Sequence, residues 1–173
     1  MNKRIFTVIL IFIVLSLAVL VSLRLNQPSV ERQKELLENA EIRLVNGDQE
    51  IIININDLKS IGEEEFEAVL DTSSTAPSLH TYNGVQLKNI LSHYQIPIDD
   101  KEVVILGGAD SYSVAYSVKE VLVDESVYIT FMEDGNYLGT RDNGGRGPYE
   151  SIVVSDQFSN RRCKWLTKVE VRK

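Results

Sequence analysis

The chain has 173 residues, of which 43% are hydrophobic and 25% are charged, and its net charge is −7. The first thirty residues carry three basic and no acidic side chains, so the remaining residues have a net charge of −10. A surface this acidic repels nucleic acid and anionic lipid headgroups, and we expect neither as a partner. The single cysteine, Cys163, excludes an internal disulfide and a cluster of spaced thiolates around a metal, and we expect it to be buried.

The N-terminal segment contains nineteen consecutive uncharged residues, from Ile5 to Leu23. A helix rises ~1.5 Å per residue, so this run is long enough to cross the ~30 Å hydrocarbon core of a bilayer. Lys3 and Arg4 precede the run and only Arg24 follows closely, which favours a cytoplasmic N-terminus. The alternative is a cleaved signal peptide, although its apolar core is usually shorter and ends at a small-x-small site. We therefore predict a single-pass protein of the cell membrane with an extracytoplasmic C-terminal domain.

The predicted organisation has four parts. They are a cytoplasmic segment 1–4, a membrane anchor 5–23, a juxtamembrane stalk or helix 24–40, and a globular domain 41–173.

Short strands and a few short helices are predicted along the globular domain. In chain order they begin with the strands Glu41–Val45 and Ile51–Ile55 around the turn Asn46–Asp48, a helix from its cap Asp57 to Ile61, and the strand Phe66–Leu70. There follow a polar loop Thr72–Ser78, a helix Gln86–Tyr94, the strands Val103–Leu106 and Tyr112–Tyr116, and a helical turn capped by Ser117. The last are the strands Val127–Met132 and Tyr137–Leu138 around the turn Glu133–Gly135, the glycine-rich loop Arg141–Pro148, and the strands Ile152–Val154 and Leu166–Val171. This pattern predicts an α+β, β-rich fold.

The residues alone identify no catalytic motif. His80 is predicted to lie in a loop and His93 on the solvent face of a helix, and their spacing is not one used for zinc. The glycine-rich segment Asn143–Gly147 has two interpretations: its backbone N–H groups could bind an anion, or it is a plain turn.

The charge distribution indicates where an anionic ligand could bind. Residues 31–140 carry 7 basic and 21 acidic side chains, whereas residues 141–164 carry five basic and three acidic ones. A locally basic stretch in an acidic domain is a candidate site for a phosphate or carboxylate ligand. The alternative is that these are solvated loop charges that balance acidic neighbours.

Several segments resemble, in the same order, the molybdopterin domain of the sulfite oxidase family. The segment His80–Leu87 is similar to the family's aromatic-x-Gly-x-x-Leu entry to a helix, and Gly108–Ser113 is similar to its Ala-Asp-Gly-Tyr segment. The segment Met132–Leu138 is similar to its Met-Asn-Gly-x-x-Leu hairpin, and Gly144–Pro148 with Ile152–Val154 is similar to its Gly-Gly-Pro loop and the following strand. The segment Arg161–Leu166 is similar to its closing Arg-x-Val-Lys-Trp-Leu segment. The resemblance covers roughly residues 50–173. It implies a sulfite-oxidase-type, β-rich α+β fold and molybdopterin as the cofactor of the relatives.

The chain departs from this family at two positions that matter for the cofactor. In the family, a cysteine that ends a strand gives its thiolate to molybdenum, and the matching position here is Thr72, whose hydroxyl is not a soft ligand. The arginine expected two residues after the loop proline is replaced by Glu150, which exchanges a phosphate-binding cation for an anion. The candidate contacts to an anion or a pterin that the resemblance leaves are His80, Arg146, Arg161 and Lys164.

From the resemblance and these departures we expect a small, degenerate member of the family, with no catalytic residue and no metal ligand. It would act as an extracytoplasmic binding or scaffolding module for a phosphate-bearing or other anionic small ligand, or with an unknown membrane-protein partner. One alternative is a molybdopterin-dependent oxidoreductase with altered metal ligation. The other is a protein-interaction module that binds no small molecule.

Overall fold

The computed structural model describes residues 9–21, 35–73 and 75–173, and the chain divides into two compact units, Met1–Glu35 and Leu36–Lys173. In the first unit, residues 9–21 are helical. Residues 5–8 and 22–23 of the predicted anchor, and residues 24–34 of the predicted stalk, lie outside the described residues. Within the described parts of the chain, no helix is long and apolar enough to cross a membrane.

The second unit contains two five-stranded sheets. The first sheet has the strand order β2-β1-β10-β5-β6, with the bounds β1 Ile42–Asn46, β2 Gln49–Ile53, β5 Val103–Gly108, β6 Ser113–Ser117 and β10 Leu166–Arg172. The second sheet has the order β3-β4-β7-β8, with β9 also paired to β7; its bounds are β3 Glu64–Thr72, β4 Thr75–Gln86, β7 Val127–Glu133, β8 Asn136–Tyr137 and β9 Glu150–Val153. Strands β1 and β10 pair in parallel, and the other pairs are antiparallel.

Three short α-helices and two 3-10 turns connect these strands. They are α1 Ile55–Gly62, α2 Leu87–His93 and α3 Val118–Leu122, with 3-10 turns at Arg141–Asn143 and Ser159–Arg161. The predicted helical face of α2 is confirmed, because Leu87, Ile90 and Leu91 are all buried. The predicted cap of α3 is also confirmed, because the Ser117 side chain accepts a hydrogen bond from the Glu120 N–H.

The start of α1 differs from the prediction. Its N-cap is Asn54, whose side-chain oxygen accepts hydrogen bonds from the backbone N–H groups of Asn56 (2.8 Å) and Asp57 (3.3 Å). Asp57 is the third helical residue, and its carboxylate accepts a hydrogen bond from the Asn54 N–H at 2.9 Å. The two residues form a reciprocal capping box, so Asp57 strengthens the helix start without being the cap itself.

The predicted polar loop at Thr72–Ser78 is wrong. Strand β3 continues to Thr72 and β4 already begins at Thr75, so His80 lies in a strand and not in a loop. Pro77 lies where the register between the two strands is irregular, near the pair Leu70–Ser78. A proline has no N–H to donate, and an irregular register tolerates it where a regular ladder would not.

The main hydrophobic core lies between the two sheets and helices α1 and α2, and a smaller one lies on the opposite face of the second sheet. The main core includes Leu44, Leu106, Ile129, Phe131 and Val169, all at most 1% exposed. The smaller cluster consists of Ala68, Tyr82 and Ile152, with Phe66 packed against it. Because alternate residues of a strand share a face, Glu150 on β9 lies on the same face as Ile152.

Candidate functional site

A cleft of about 510 Å³ opens on the second face of the sheet, where β3 ends. Its polar lining residues include Asp71, Thr72, Glu150, Ser159, Asn160 and Lys164. The Asp71 N–H donates a hydrogen bond to Ser159 Oγ at 3.0 Å, which joins the end of β3 to the 3-10 turn opposite. The fold thus brings together three positions that the sequence singled out, namely Thr72, Glu150 and Lys164.

Glu150 is fully buried, with 0% of its surface exposed. Its Oε2 atom accepts a hydrogen bond from Arg146 Nε at 3.0 Å and lies 3.8 Å from Arg162 Nη1. Its Oε1 atom is buried and has no hydrogen-bond partner among the described residues. Burial raises the pKa of Glu150, while the charges of Arg146, Arg162 and Lys164 act against this rise. One oxygen of this carboxylate is therefore held by arginine, and the other has no donor in the part of the chain that the structure describes.

Behind the cleft, two arginines and two glutamates form an arginine–carboxylate cluster: Arg146, Arg162, Glu133 and Glu150. Arg146 Nη2 lies 2.7 Å from Glu133 Oε1 as an ion pair. Arg162 Nη1 donates to Tyr82 Oη at 3.0 Å, and Tyr82 Oη donates to Glu133 Oε1 at 2.9 Å. Burial raises the pKa of Tyr82 to about 12, so the phenol stays protonated and joins the two charged groups. In this cluster two guanidinium groups balance two carboxylates.

Arg161 does not line the cleft, although the sequence made it a candidate for anion binding. Its Nε donates to Asp156 Oδ2 at 2.9 Å, and its Nη2 donates to Glu120 Oε1 at 2.8 Å. Its guanidinium group also lies over the ring of Tyr116, 5.7 Å from the centroid. Hydrogen bonds from Arg161 to Asp156 and then Glu120 raise the pKa of the guanidinium further. The charge of Arg161 is balanced within the protein.

His80 also lies away from the lining of the cleft. Its Nδ1 lies 2.6 Å from Asp134 Oδ2, and its Nε2 lies 2.8 Å from Ser78 Oγ. Because an ionised Asp134 can only accept, Nδ1 carries a proton, and in the neutral imidazole Nε2 then accepts from the Ser78 hydroxyl. The hydrogen bond from His80 lowers the pKa of Asp134, whose other oxygen accepts from the Thr81 N–H at 3.1 Å.

This serine–histidine–aspartate chain was not predicted from the sequence. The sequence predicts loops at Ser78 and His80, and the i, i+2 spacing that puts both on one strand face is informative only once β4 is recognised as a strand. The contacts run from serine to histidine to aspartate, which is the order found in sites where a histidine activates a serine. Here the Asp134 carboxylate also accepts from the Thr81 N–H, and the Asp134 N–H donates to the Thr81 carbonyl oxygen, so these contacts hold the β7–β8 turn against β4.

The glycine-rich loop uses its backbone N–H groups within the protein. The N–H groups of residues 144–147 donate, in order, to the carbonyl oxygens of Arg141, Thr140, Leu138 and Gly139. A Cβ atom on Gly145 would lie 2.4 Å from Leu138 O, so glycine is required there for close packing. These contacts favour the plain-turn interpretation over the anion-binding one.

Comparison with known proteins identifies the family. The model of the oxidoreductase molybdopterin binding domain family matches residues 37–173. The chain belongs to this family. The crystal structure of the sulfane dehydrogenase SoxCD from Paracoccus pantotrophus matches the fold with a TM-score of 0.64 at 15% sequence identity, over 78% of this chain. No curated protein matches the chain.

The match to SoxCD confirms the predicted β-rich α+β molybdopterin-domain fold for the globular part of the chain. This chain spans only 38% of the SoxCD chain that it matches. At this level of identity the similarity describes the fold, and the chemistry has to be argued from the side chains in the cleft.

The side chains at the cleft of this molybdopterin-binding-domain protein offer hydroxyl, amide, carboxylate and ammonium groups. Cys163 is fully buried, as predicted, and packs in the main core. Burial raises the pKa of its thiol to about 12, which disfavours the thiolate that a metal would need. Among the described residues, no group of three or more His, Cys, Asp or Glu side chains is arranged to hold a metal ion.

Proposed function

We propose that this chain is a membrane-anchored, extracytoplasmic member of the molybdopterin-binding-domain family that does not ligate molybdenum as its relatives do. It acts as a binding or scaffolding module. The observation that carries this proposal is the cleft itself, where a buried carboxylate, Glu150, lies with Thr72 at the position that resembles the metal-binding cysteine.

Metal coordination and phosphate binding are both disfavoured by this donor set. The neutral hydroxyl of Thr72 gives molybdenum no soft, charged ligand. The carboxylates of Asp71 and Glu150 oppose the phosphate of a pterin, and Lys164 is the one basic side chain among the described lining residues. The residues present therefore do not fit a phosphate-bearing molybdenum cofactor, and we expect a ligand's anionic group to be bound at Lys164.

Three of the four candidate anion contacts already have partners within the protein. Arg146 is paired with Glu133 and Glu150, Arg161 with Asp156 and Glu120, and His80 with Asp134. Opening the Arg146 pair to admit an anion would leave the buried Glu150 without its partner, which is costly, whereas the pairs of Arg161 and His80 are partly exposed and would be opened at less cost. This pairing supports a cleft with weak anion affinity.

The test of the proposal is the molybdenum content of the protein expressed in a host that makes the cofactor. We expect far less than one molybdenum per chain. Thr72→Cys alone should not restore full occupancy, because Glu150 would still oppose the phosphate, and Thr72→Ser is the matched control that keeps a hydroxyl. Stoichiometric molybdenum in the unmodified protein would overturn the proposal and favour an oxidoreductase with altered metal ligation.

The membrane anchor is part of the same proposal. The uncharged run from Ile5 to Leu23, whose described residues 9–21 are helical, supports it. The full-length protein should remain with membranes through high-salt and carbonate extraction, and protease added to intact, wall-stripped cells should remove the domain. A soluble mature protein that starts near residue 19 would show instead that the segment is a cleaved signal.

A second candidate function is a protein-interaction module that uses the cleft as a contact surface. The observation that favours it is Phe158, which lines the cleft and is 62% exposed. A ligand that binds only the folded state raises the melting temperature of the protein. A melting shift with phosphate-bearing compounds would favour the small-ligand function, and its absence would favour protein interaction.

A further inference from the structure

The cleft combines carboxylate and ammonium groups. A fully buried carboxylate, Glu150, has one oxygen without a hydrogen-bond partner among the described residues. A second carboxylate, Asp71, and an ammonium group, Lys164, line the same cleft. We infer that the cleft binds a small zwitterion, whose ammonium group donates to Glu150 and whose phosphate lies at Lys164. This inference rests on the proposed binding function and specifies its ligand class.

The charge balance of the arginine–carboxylate cluster identifies Glu150 as an acceptor. Arg162 and Glu150 are buried, Arg146 and Glu133 are partly buried, and the charges of these four groups cancel only if Glu150 is ionised. An ionised carboxylate accepts hydrogen bonds and donates none. Because the arginines lie at Oε2, the group that satisfies Oε1 must bring its own N–H or O–H.

The other lining groups decide between a singly charged ligand and a zwitterion. An anion alone would pair with Lys164 but would face the carboxylates of Asp71 and Glu150 and leave Oε1 without a donor. A cation alone would satisfy Glu150 but would be repelled by Lys164. A molecule with an ammonium group at one end and an anionic group at the other matches both, because buried polar groups require complementary partners.

The size and the neutral lining of the cleft agree with a small polar molecule. Its volume of about 510 Å³ lies within the range of ligand pockets. Ser159 and Asn160, on the wall opposite β3, offer a hydroxyl and an amide that can donate to or accept from the ligand.

Isothermal titration of the full-length protein in detergent against four probes tests this inference. Phosphoethanolamine carries both charges, inorganic phosphate carries only the anion, and ethanolamine carries only the ammonium group. Phosphocholine has both charges but no N–H on its cation. We expect phosphoethanolamine to bind roughly tenfold or more tightly than each of the other three, because each lacks one charge-assisted hydrogen bond.

Variants assign the two ends of the ligand. Lys164→Gln should weaken phosphoethanolamine binding about tenfold and leave ethanolamine unaffected or tighter. Glu150→Gln should remove the preference for phosphoethanolamine over phosphocholine. The control is Lys168→Gln, because Lys168 pairs with Glu170 on β10, away from the cleft. If Glu150→Gln fails to fold, the Lys164→Gln variant and the comparison of phosphoethanolamine with phosphocholine still test the zwitterion inference.

Three results would overturn the zwitterion inference: equal affinity for phosphate and phosphoethanolamine, unchanged binding in Lys164→Gln, or no binding by any probe. Tight binding of phosphate alone would leave the proposed binding function intact, so the two proposals can fail separately. Only stoichiometric molybdenum in the unmodified protein would remove the proposed function.

Discussion

Glu150→Gln is the substitution that most directly tests how the charges behind the cleft are arranged. The glutamine side chain keeps the volume of glutamate and one carbonyl oxygen, and it removes the negative charge. Glu150 is fully buried, its Oε2 lies 3.0 Å from Arg146 Nε, and Arg162 Nη1 is 3.8 Å away. The change therefore leaves one buried and one partly buried guanidinium group, Arg162 and Arg146, with one carboxylate, Glu133.

The expected loss can be worked out from these distances. At ~4 Å and an effective dielectric constant of ~20, two unit charges attract by about 4 kcal/mol. Removing one partner of a buried ion pair costs about 3–5 kcal/mol, because the remaining charge is left uncompensated. The amide oxygen can still accept from Arg146, so we expect a loss at the lower end, about 3 kcal/mol. A domain stable by ~5–15 kcal/mol would remain folded at room temperature.

Urea denaturation of residues 36–173, followed by the fluorescence of the single tryptophan, Trp165, measures this loss. The control is Glu67→Gln, because Glu67 is an exposed residue of β3 and its substitution should change stability by less than ~0.5 kcal/mol. A loss below about 1 kcal/mol for Glu150→Gln would refute an ionised Glu150 that balances the two arginines.

The same reasoning predicts the outcome of restoring the family's residue. The resemblance to the family suggests arginine at position 150, so Glu150→Arg is the substitution that sequence comparison would choose to regain phosphate binding. In this fold it would add a third guanidinium group beside Arg146 and Arg162, with Glu133 alone to balance them. We expect Glu150→Arg to abolish stable folding, and a cooperatively unfolding variant would contradict this charge arrangement.

Three further predictions concern the core, the acid stability and the packing of the second sheet. Cys163 should react slowly with a bulky maleimide in the native state, and Cys163→Ala should cost on the order of 1 kcal/mol in urea denaturation; fast labelling would contradict its burial. Hydrogen bonds from Arg172 and then Lys168 lower the pKa of Glu170 from 4.5 to about 2, so its stabilising effect is complete above pH ~4.5 and is lost as the pH falls towards 2. Glu170→Gln should reduce the pH dependence of the unfolding free energy between pH ~4.5 and 2. The same pH dependence in the variant and the unmodified protein would refute the lowered pKa of Glu170. Gly84→Ala should cost at least ~1–3 kcal/mol, because its Cβ would lie 2.6 Å from a carbonyl oxygen of β7, and unchanged stability would refute this contact.

Local sequence patterns predicted most of the strands and helices. The helical face of α2 and the cap of α3 depend on residues close together in the chain, and both were predicted correctly. The same is true of the turns at Gly47–Asp48 and Asp134–Gly135, where a glycine adopts a positive φ. Where a local signal determines the element, the sequence is sufficient.

The β3–β4 hairpin shows where local patterns are insufficient. Thr75–Ser78 has neither alternation nor β-branched enrichment, and Pro77 argues against a strand. It is a strand because it pairs with β3, and such pairing between segments is not visible in a window of a few residues. The error moved His80 into a loop and hid its contacts with Ser78 and Asp134.

The contacts of the basic residues in segment 141–164 also could not be predicted from the sequence. The sequence left two interpretations open, a ligand site or charges that balance acidic neighbours. For Arg161 the contacts favour the second, because Glu120 approaches from a helix that is 41 positions earlier in the chain. Arg146 is likewise paired with Glu133, which belongs to the acidic part of the sequence. Net charge along a segment therefore cannot predict which cations remain available to a ligand.

The replacement of the family's expected arginine by Glu150 bears on which ligand this cleft can bind. Where relatives are expected to carry a phosphate-binding arginine, this chain buries a carboxylate that holds Arg146 and Arg162 in place. The arginines thereby become part of the folded structure, since releasing them to a ligand would leave Glu150 buried and uncompensated. The second oxygen of Glu150 is buried without a donor among the described residues, and Lys164 lines the same cleft, so we infer that a ligand brings a donor for the one and an anionic group for the other. On this inference, the replacement of the family's arginine by Glu150 changes a site expected to select anions into one complementary to a molecule that carries both charges.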